Sequence, residues 1–274
     1  MPAPLFGFDA YSPREIAERV EELGVTKARL PLLPMLMLSV LAGAFIGLGA
    51  LFFTIVRADS SLGFAASRIL GGVVFSLGLL LVVVAGAELF TGNNLLAMAW
   101  ADGKLSTQEL LRNWSVVLGG NLIGAVGLAV LVVMSGHTAI REGEIADTYV
   151  RIAHTKAALP FVTAFASAVL CNALVCLAVW MALAGRSVVD KAVAIVFPIS
   201  AFVAAGFEHS VANLYFFAVA LLLETGGWGP ATGPFLSAAD VASNLVPVIL
   251  GNIVGGSLLV ALVYFVIYRR NATN

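Results

Sequence analysis

Charge is scarce in this sequence. Only 11% of its 274 residues are Asp, Glu, Lys or Arg, against 60% hydrophobic, and the mean hydropathy is +0.99. The charges cluster between long uncharged runs, which excludes a soluble core and indicates an integral membrane protein. A net charge of −1 excludes a strongly basic nucleic-acid binder. Neither a Walker loop nor a Rossmann glycine fingerprint occurs beside a strand pattern, so nucleotide partners are set aside. The only cysteines, Cys171 and Cys176, are five apart in one apolar run and fall on different helix faces. They are expected to be small core residues, with no disulfide and no metal site. No cofactor is expected. The three histidines, His137, His154 and His209, do not form the His-Glu-x-x-His of a zinc protease. Residues 1–29 are polar and lack the pattern of a cleaved signal peptide, so the first span is expected to serve as its own insertion signal.

What is present is six apolar runs bounded by charges: Leu30–Val56, Ile69–Ala101, Asn113–Gly136, Ala157–Gly185, Ala192–Leu223 and Val241–Tyr268. Four of them, at 24–29 residues, suffice to cross the membrane. The second and fifth, at 33 and 32 residues, carry a central glutamate. As straight helices they would run roughly 50 Å, too long for a bilayer, so both are expected to be broken. Before the first span, Ser12-Pro13-Arg14-Glu15 is a capping box with proline at the first helical position. Ile16, Val20 and Leu23 then recur at helical spacing until Gly24, giving an amphipathic helix on the membrane surface or against a neighbouring subunit. The chain therefore divides into a cytoplasmic N-terminal segment, 1–29, a six-span pore domain, 30–268, and a cytoplasmic tail, 269–274. Arg14, Arg19, Lys27, Arg29, Lys104, Arg112, Arg186, Lys191, Arg269 and Arg270 stand on one side against Arg57, Arg68, Arg141, Arg151 and Lys156 on the other. Ten against five favours both termini in the cytoplasm.

The halves repeat. Glu88 is followed five residues later by Asn93, and Glu208 by Asn213; Gly120-Asn121-Leu122-Ile123-Gly124 in the third span answers Gly251-Asn252-Ile253-Val254-Gly255 in the sixth. Three spans per half force opposite orientations, giving an inverted 3+3 repeat whose breaks meet near the midplane. The longer second half places its extra residues in the Gly- and Pro-rich loop Gly226–Pro234. Glu88 and Glu208 are expected to brace the backbone where the helices break, in preference to a proton relay, with Asn93 and Asn213 assisting. His209 occurs in one half only. An intramembrane histidine with an unperturbed pKa of about 6.5 is a candidate for proton exchange with a passing solute.

The motifs Ala87-Glu88-Leu89-Phe90-Thr91-Gly92-Asn93, Gly206-Phe207-Glu208-His209-Ser210-Val211-Ala212-Asn213 and Gly251–Gly256, in this order on a six-span chain, resemble the formate-nitrite transporter family, most closely its formate channel branch. The resemblance implies a homopentamer of aquaporin-like protomers in the inner membrane of a bacterium, passing formate, nitrite or hydrosulfide. It implies His209 as the pore histidine, with Thr91, Asn172 and the vestibule cation Lys156 as further pore residues. It also implies apolar constrictions at Phe75, Leu79, Leu89, Phe90, Val175 and Phe202. Gly92-Asn93 after Thr91 is closer to the nitrite and hydrosulfide branches than to the small hydroxyl pair of many formate channels.

A transport cycle follows as an expectation. An anion gathers near Lys156, sheds water at an apolar ring and meets His209 and Thr91, where a protonated imidazole would hold and then neutralise it. Passive channel and proton-coupled transporter both fit. A neutral-solute pore is the remote rival, and its paired Asn-Pro-Ala motifs are missing.

Overall fold

Helices long and apolar enough to cross a membrane occupy Leu32–Ala58, Phe64–Gly86, Thr107–Met134, Phe161–Ala184, Val188–Ala205 and Ala238–Tyr268. The computed structural model describes residues 10–227 and 235–270, and among these the chain is all-helical. Most of the Gly- and Pro-rich loop (228–234), the end of the C-terminal tail (271–274) and residues 1–9 lie outside the described residues.

The chain begins with α1 (Pro13–Ala28) and α2 (Leu32–Ala58). The second span starts as α3 (Phe64–Phe75), continues as α4 (Leu77–Leu80) and widens into a π-helical turn, Leu81–Gly86. It then breaks, resuming as a 3-10 helix, Gly92–Leu96, and α5 (Ala97–Ala101). After α6 (Thr107–Met134) comes α7 (Glu144–Ala157), then α8 (Phe161–Ala184). The fifth span is α9 (Val188–Ala205), a break, and α10 (Ser210–Thr225). The last is α11 (Ala238–Ile253), a π-helical stretch Val254–Leu262 and α12 (Val263–Tyr268).

Both expected breaks are present, and both begin at a glycine in the left-handed region, Gly86 at φ 86° and Gly206 at φ 79°. Only glycine adopts this conformation without a Cβ penalty, so the helix stops there. Every span start drawn from charge positions moves, the first from Leu30 to Leu32, the fifth from Ala192 to Val188 and the sixth from Val241 to Ala238, and the other three have a readable cause. The second span starts at Phe64, not Ile69, because Arg68 in its first turn faces a cavity rather than lipid. The third starts at Thr107, not Asn113, because Arg112 donates to the Ala28 and Leu30 carbonyls. The fourth starts at Phe161, not Ala157, because Ala157 closes α7.

The halves are held by α2 on α6 and α8 on α11. A Cβ on Gly124 would overlap the Val40 carbonyl, and one on Gly255 the Val169 carbonyl. These are small-residue crossings of the kind that lets helix backbones touch in lipid.

Contrary to the expectation for α1, it packs on its own chain: Ile16, Ala17 and Val20 bury against Leu95, Met98, Trp180 and Val260. Its capping box forms, with the Ser12 N–H donating to Glu15 at 2.7 Å. Gly24 does not end the helix; it sits where α1 approaches Leu96 and Ala99, and one further turn runs on to Ala28. The polar stretch before the fourth span is the counterpart of α1. This helix, α7, is anchored by buried Tyr149, whose hydroxyl lies 2.9 Å from that of Tyr215. Burial pushes the Tyr149 phenol up to about 12, so it stays neutral. The repeat is therefore an amphipathic helix plus three spans, twice.

Candidate functional site

Breaking a helix in mid-membrane leaves backbone groups that water cannot reach. Two asparagines satisfy them. Asn121 donates to the carbonyls of Ser39 and Glu88 at 2.8 and 2.9 Å and accepts the Phe90 N–H at 2.9 Å. Asn252 does the same in the other half, donating to Ala168 and Glu208 at 2.9 and 3.0 Å and accepting the Ser210 N–H at 2.9 Å.

Below this layer each glutamate is fixed by a lysine and an asparagine pair. Lys27 Nζ is 2.8 Å from Glu88 Oε1, Asn93 donates to Glu88 Oε2 at 2.7 Å and to Asn113 at 3.0 Å, and Asn113 donates to the Lys27 carbonyl at 3.2 Å. Lys156 Nζ is 2.7 Å from Glu208 Oε1, Asn213 donates to Glu208 Oε2 at 2.7 Å and to Asn244 at 2.8 Å, and Asn244 donates to the Lys156 carbonyl at 2.8 Å. Four residues repeat with the same bonds. Each buried carboxylate has its charge matched and both oxygens engaged, the condition for tolerating it at this depth.

Within this matched frame Leu89 and His209 are counterparts, each between a Glu carbonyl and an N–H that bond a single asparagine, Asn121 in the first half and Asn252 in the second. There the symmetry fails. His209 Nδ1 caps α10 by accepting the Ala212 N–H at 3.1 Å, and its Nε2 lies 3.0 Å from Thr91 Oγ1 on the opposing break. A backbone N–H can only donate, so Nδ1 is the acceptor. In the neutral ring the proton sits on Nε2 and is donated to Thr91, leaving the threonine hydroxyl hydrogen for another acceptor.

Two cavities approach this pair from opposite faces. The one beside α1, of about 520 Å³, is lined by Lys27, Leu79, Val82, Leu89, Gly92 and Lys191 among others. The one beside α7, of about 350 Å³, is lined by Phe75, Phe202 and His209 at its floor and by Arg57, Arg68, Arg151 and Lys156 higher up. Phe75 and Phe202 meet edge to face at 5.8 Å between ring centres, and Phe202 stacks on the His209 ring at 5.9 Å. Two rings and an imidazole thus close the second cavity, and Leu79 and Leu89 stand at the inner end of the first.

The expected site residues divide accordingly. His209, Phe75, Phe202 and Lys156 line one cavity, Leu79 and Leu89 the other, and Thr91 bonds His209 from full burial. Phe90 and Val175 are buried and line neither cavity; Phe90 packs edge-on against Trp114. Asn172 also lines neither. It stands behind the first break, its amide nitrogen within 3.2 Å of the Thr91 carbonyl and 2.7 Å of the Asn252 carbonyl. Lys156 is not a free vestibule cation, since Glu208 holds it. Cys171 and Cys176 are both free and buried, and Cys176 donates to the Thr91 carbonyl at 3.4 Å. Sequence reasoning missed Lys27 and Asn113 as partners of Glu88, counting the first for topology and using the second as a boundary. The available signal was that Asn113 and Asn244 open the equivalent spans of the two halves.

Two half-helix breaks back to back, with a cavity entering from each face and one titratable residue between them, define a membrane-spanning solute conduit. The comparisons agree. Residues 14–266 match the profile described as formate/nitrite transporter. The chain is 38% identical over 274 residues to the formate channel FocA of Escherichia coli (strain K12), covering 96% of each protein. It superimposes on a solved pentameric formate channel with formate bound at a TM-score of 0.80, with 36% identity over 86% of this chain and 97% of that one. An ion channel of the same family gives 0.82 at 29% identity, covering 92% and 98%. The chain belongs to the formate/nitrite transporter family, and it is a multi-pass membrane protein.

Proposed function

We propose that the protein is a formate channel of the bacterial inner membrane, working as a homopentamer with a pore in each protomer and with the α7 cavity facing outward. The observation that carries this is the His209–Thr91 pair at the neck between two opposed cavities; the relatedness to formate channels supports the choice of anion. A bare anion loses its hydration at Phe75 and Phe202 at a cost that a neutral weak acid largely avoids. The Thr91 hydroxyl, whose hydrogen is left free by the bond it accepts from His209 Nε2–H, is the donor waiting there.

The geometry also constrains how His209 charges. A second proton must go on Nδ1, which already faces the Ala212 N–H. Forming the imidazolium therefore breaks the α10 cap, so proton exchange with the anion is coupled to movement at the start of α10. Asparagine keeps this cap through its side-chain oxygen and cannot titrate. His209→Asn in proteoliposomes should pass formate with its pH dependence removed. Formate flux whose pH profile matches the wild type would refute the role of His209. Nitrite is the second reading, favoured by Gly92, whose place on the α1 cavity wall has open space apart from Val179. Comparing formate, nitrite and hydrosulfide fluxes at two pH values ranks them.

A further inference from the structure

The α7 cavity contains more positive charge than Lys156 supplies. Its one lining carboxylate, Glu208, is spent on that lysine. Arg57, Arg68 and Arg151 line the same cavity, and among the described residues none of them forms an ion pair with a carboxylate. Arg57 donates to Ser67 Oγ at 2.9 Å and Arg151 to Thr148 Oγ1 at 3.0 Å, which orient the two side chains and leave most of their N–H groups unused. Arg68 lies over the fifth-span break, where a Cβ on Gly206 would stand 2.9 Å from its Nη1, and its buried Nε has no hydrogen-bond partner. The three come from α2, α3 and α7, so the fold, not one surface strip, brings them together.

We propose that Arg57, Arg68 and Arg151 form an oxyanion-binding site above the Phe75–Phe202 neck, selective for doubly charged oxyanions such as sulfate. Guanidinium forks match oxyanion geometry with paired N–H donors, and they do so best when partly desolvated. Three unpaired cations are better balanced by a dianion than by one monovalent anion. A dianion that takes up one proton is still charged, so it cannot cross the apolar neck in neutral form. Such a ligand binds without passing, and it blocks the pore from the α7 side. The site rests on the transport reading only for that blocking effect; the binding itself stands apart from it.

The test titrates sodium sulfate into the detergent-solubilised oligomer by calorimetry, against sodium chloride at equal ionic strength, for wild type, R57Q, R151Q and the charge-keeping R57K. Formate flux into proteoliposomes is measured in parallel with sulfate or chloride on the α7 side. Saturable sulfate binding is expected in the wild type, weakened roughly tenfold or more in R57Q and in R151Q, as befits loss of charge-assisted bonds, and less so in R57K. Sulfate should suppress wild-type formate flux and lose that effect in R57Q. Sulfate affinity equal to that of chloride, or unchanged by R57Q and R151Q in oligomers that elute normally on gel filtration, overturns the site. A wild type that binds sulfate yet carries no formate refutes the transport reading and upholds the site.

Discussion

Removing Lys156 tests the logic of the whole frame. Its side chain is 16% exposed and that of Glu208 4%, so Lys156→Met leaves a carboxylate buried with only the amides of Asn213 and Asn244. Breaking a buried pair from one side costs about 3–5 kcal/mol. For a chain of this length, at ~2–4 °C per kcal/mol, the melting point should fall by roughly 6–20 °C. The symmetric Lys27→Met should cost less, about 1–3 kcal/mol, because the Lys27 side chain is 31% exposed and water can reach Glu88 when it is gone. Since the cost is an uncompensated charge and not lost packing, adding Glu208→Gln to Lys156→Met should recover more than half of the loss. The assay is thermal unfolding of the detergent-solubilised oligomer, with near-identical detergent and pH for all four proteins. A double variant no more stable than Lys156→Met, or Lys27→Met falling further than Lys156→Met, would refute this account of the two pairs.

The two break glycines should separate in the same assay. Gly86→Ala meets nothing within 4 Å and should cost only the left-handed backbone penalty, about 1–2 kcal/mol, whereas Gly206→Ala also collides with Arg68 and should lose more; equal losses would argue against that contact. Thr91→Val keeps the shape but leaves the His209 Nε2–H without its acceptor at full burial, costing about 1–3 kcal/mol and most of the formate flux, while Thr91→Ser should retain both. Flux through Thr91→Val equal to wild type would remove the hydroxyl from the pathway. Phe202→Ala opens the aromatic closure on His209 and should admit larger anions in liposome-swelling assays; unchanged selectivity would place the barrier elsewhere.

Several features escaped the sequence for one physical reason: a charge in a line of residues does not show which way it faces. Arg68 and Arg112 looked like span boundaries because a cation is costly in lipid, yet one faces a cavity and the other a pair of carbonyls. Gly24 looked like a helix end, and stopping α1 there hid Lys27, which lies on the next turn. The helix α7 was invisible as the partner of α1 because the two share almost no sequence, only the position of a lysine near the end of each.

The sequence by itself determined the membrane class, the six spans, the two breaks and the inverted plan, because hydrophobic run length and the recurrence of Glu, Asn and Gly are local properties of the chain. It also singled out His209, since a residue present in one half of a repeat is an asymmetry readable without coordinates. Tertiary structure alone decided what those residues do. It alone showed that Lys156 is spent on Glu208, that Asn172 braces Thr91, and that three arginines from separate helices share one cavity. Partners and unpaired charges depend on contacts across tens of residues, and only the packed chain fixes those.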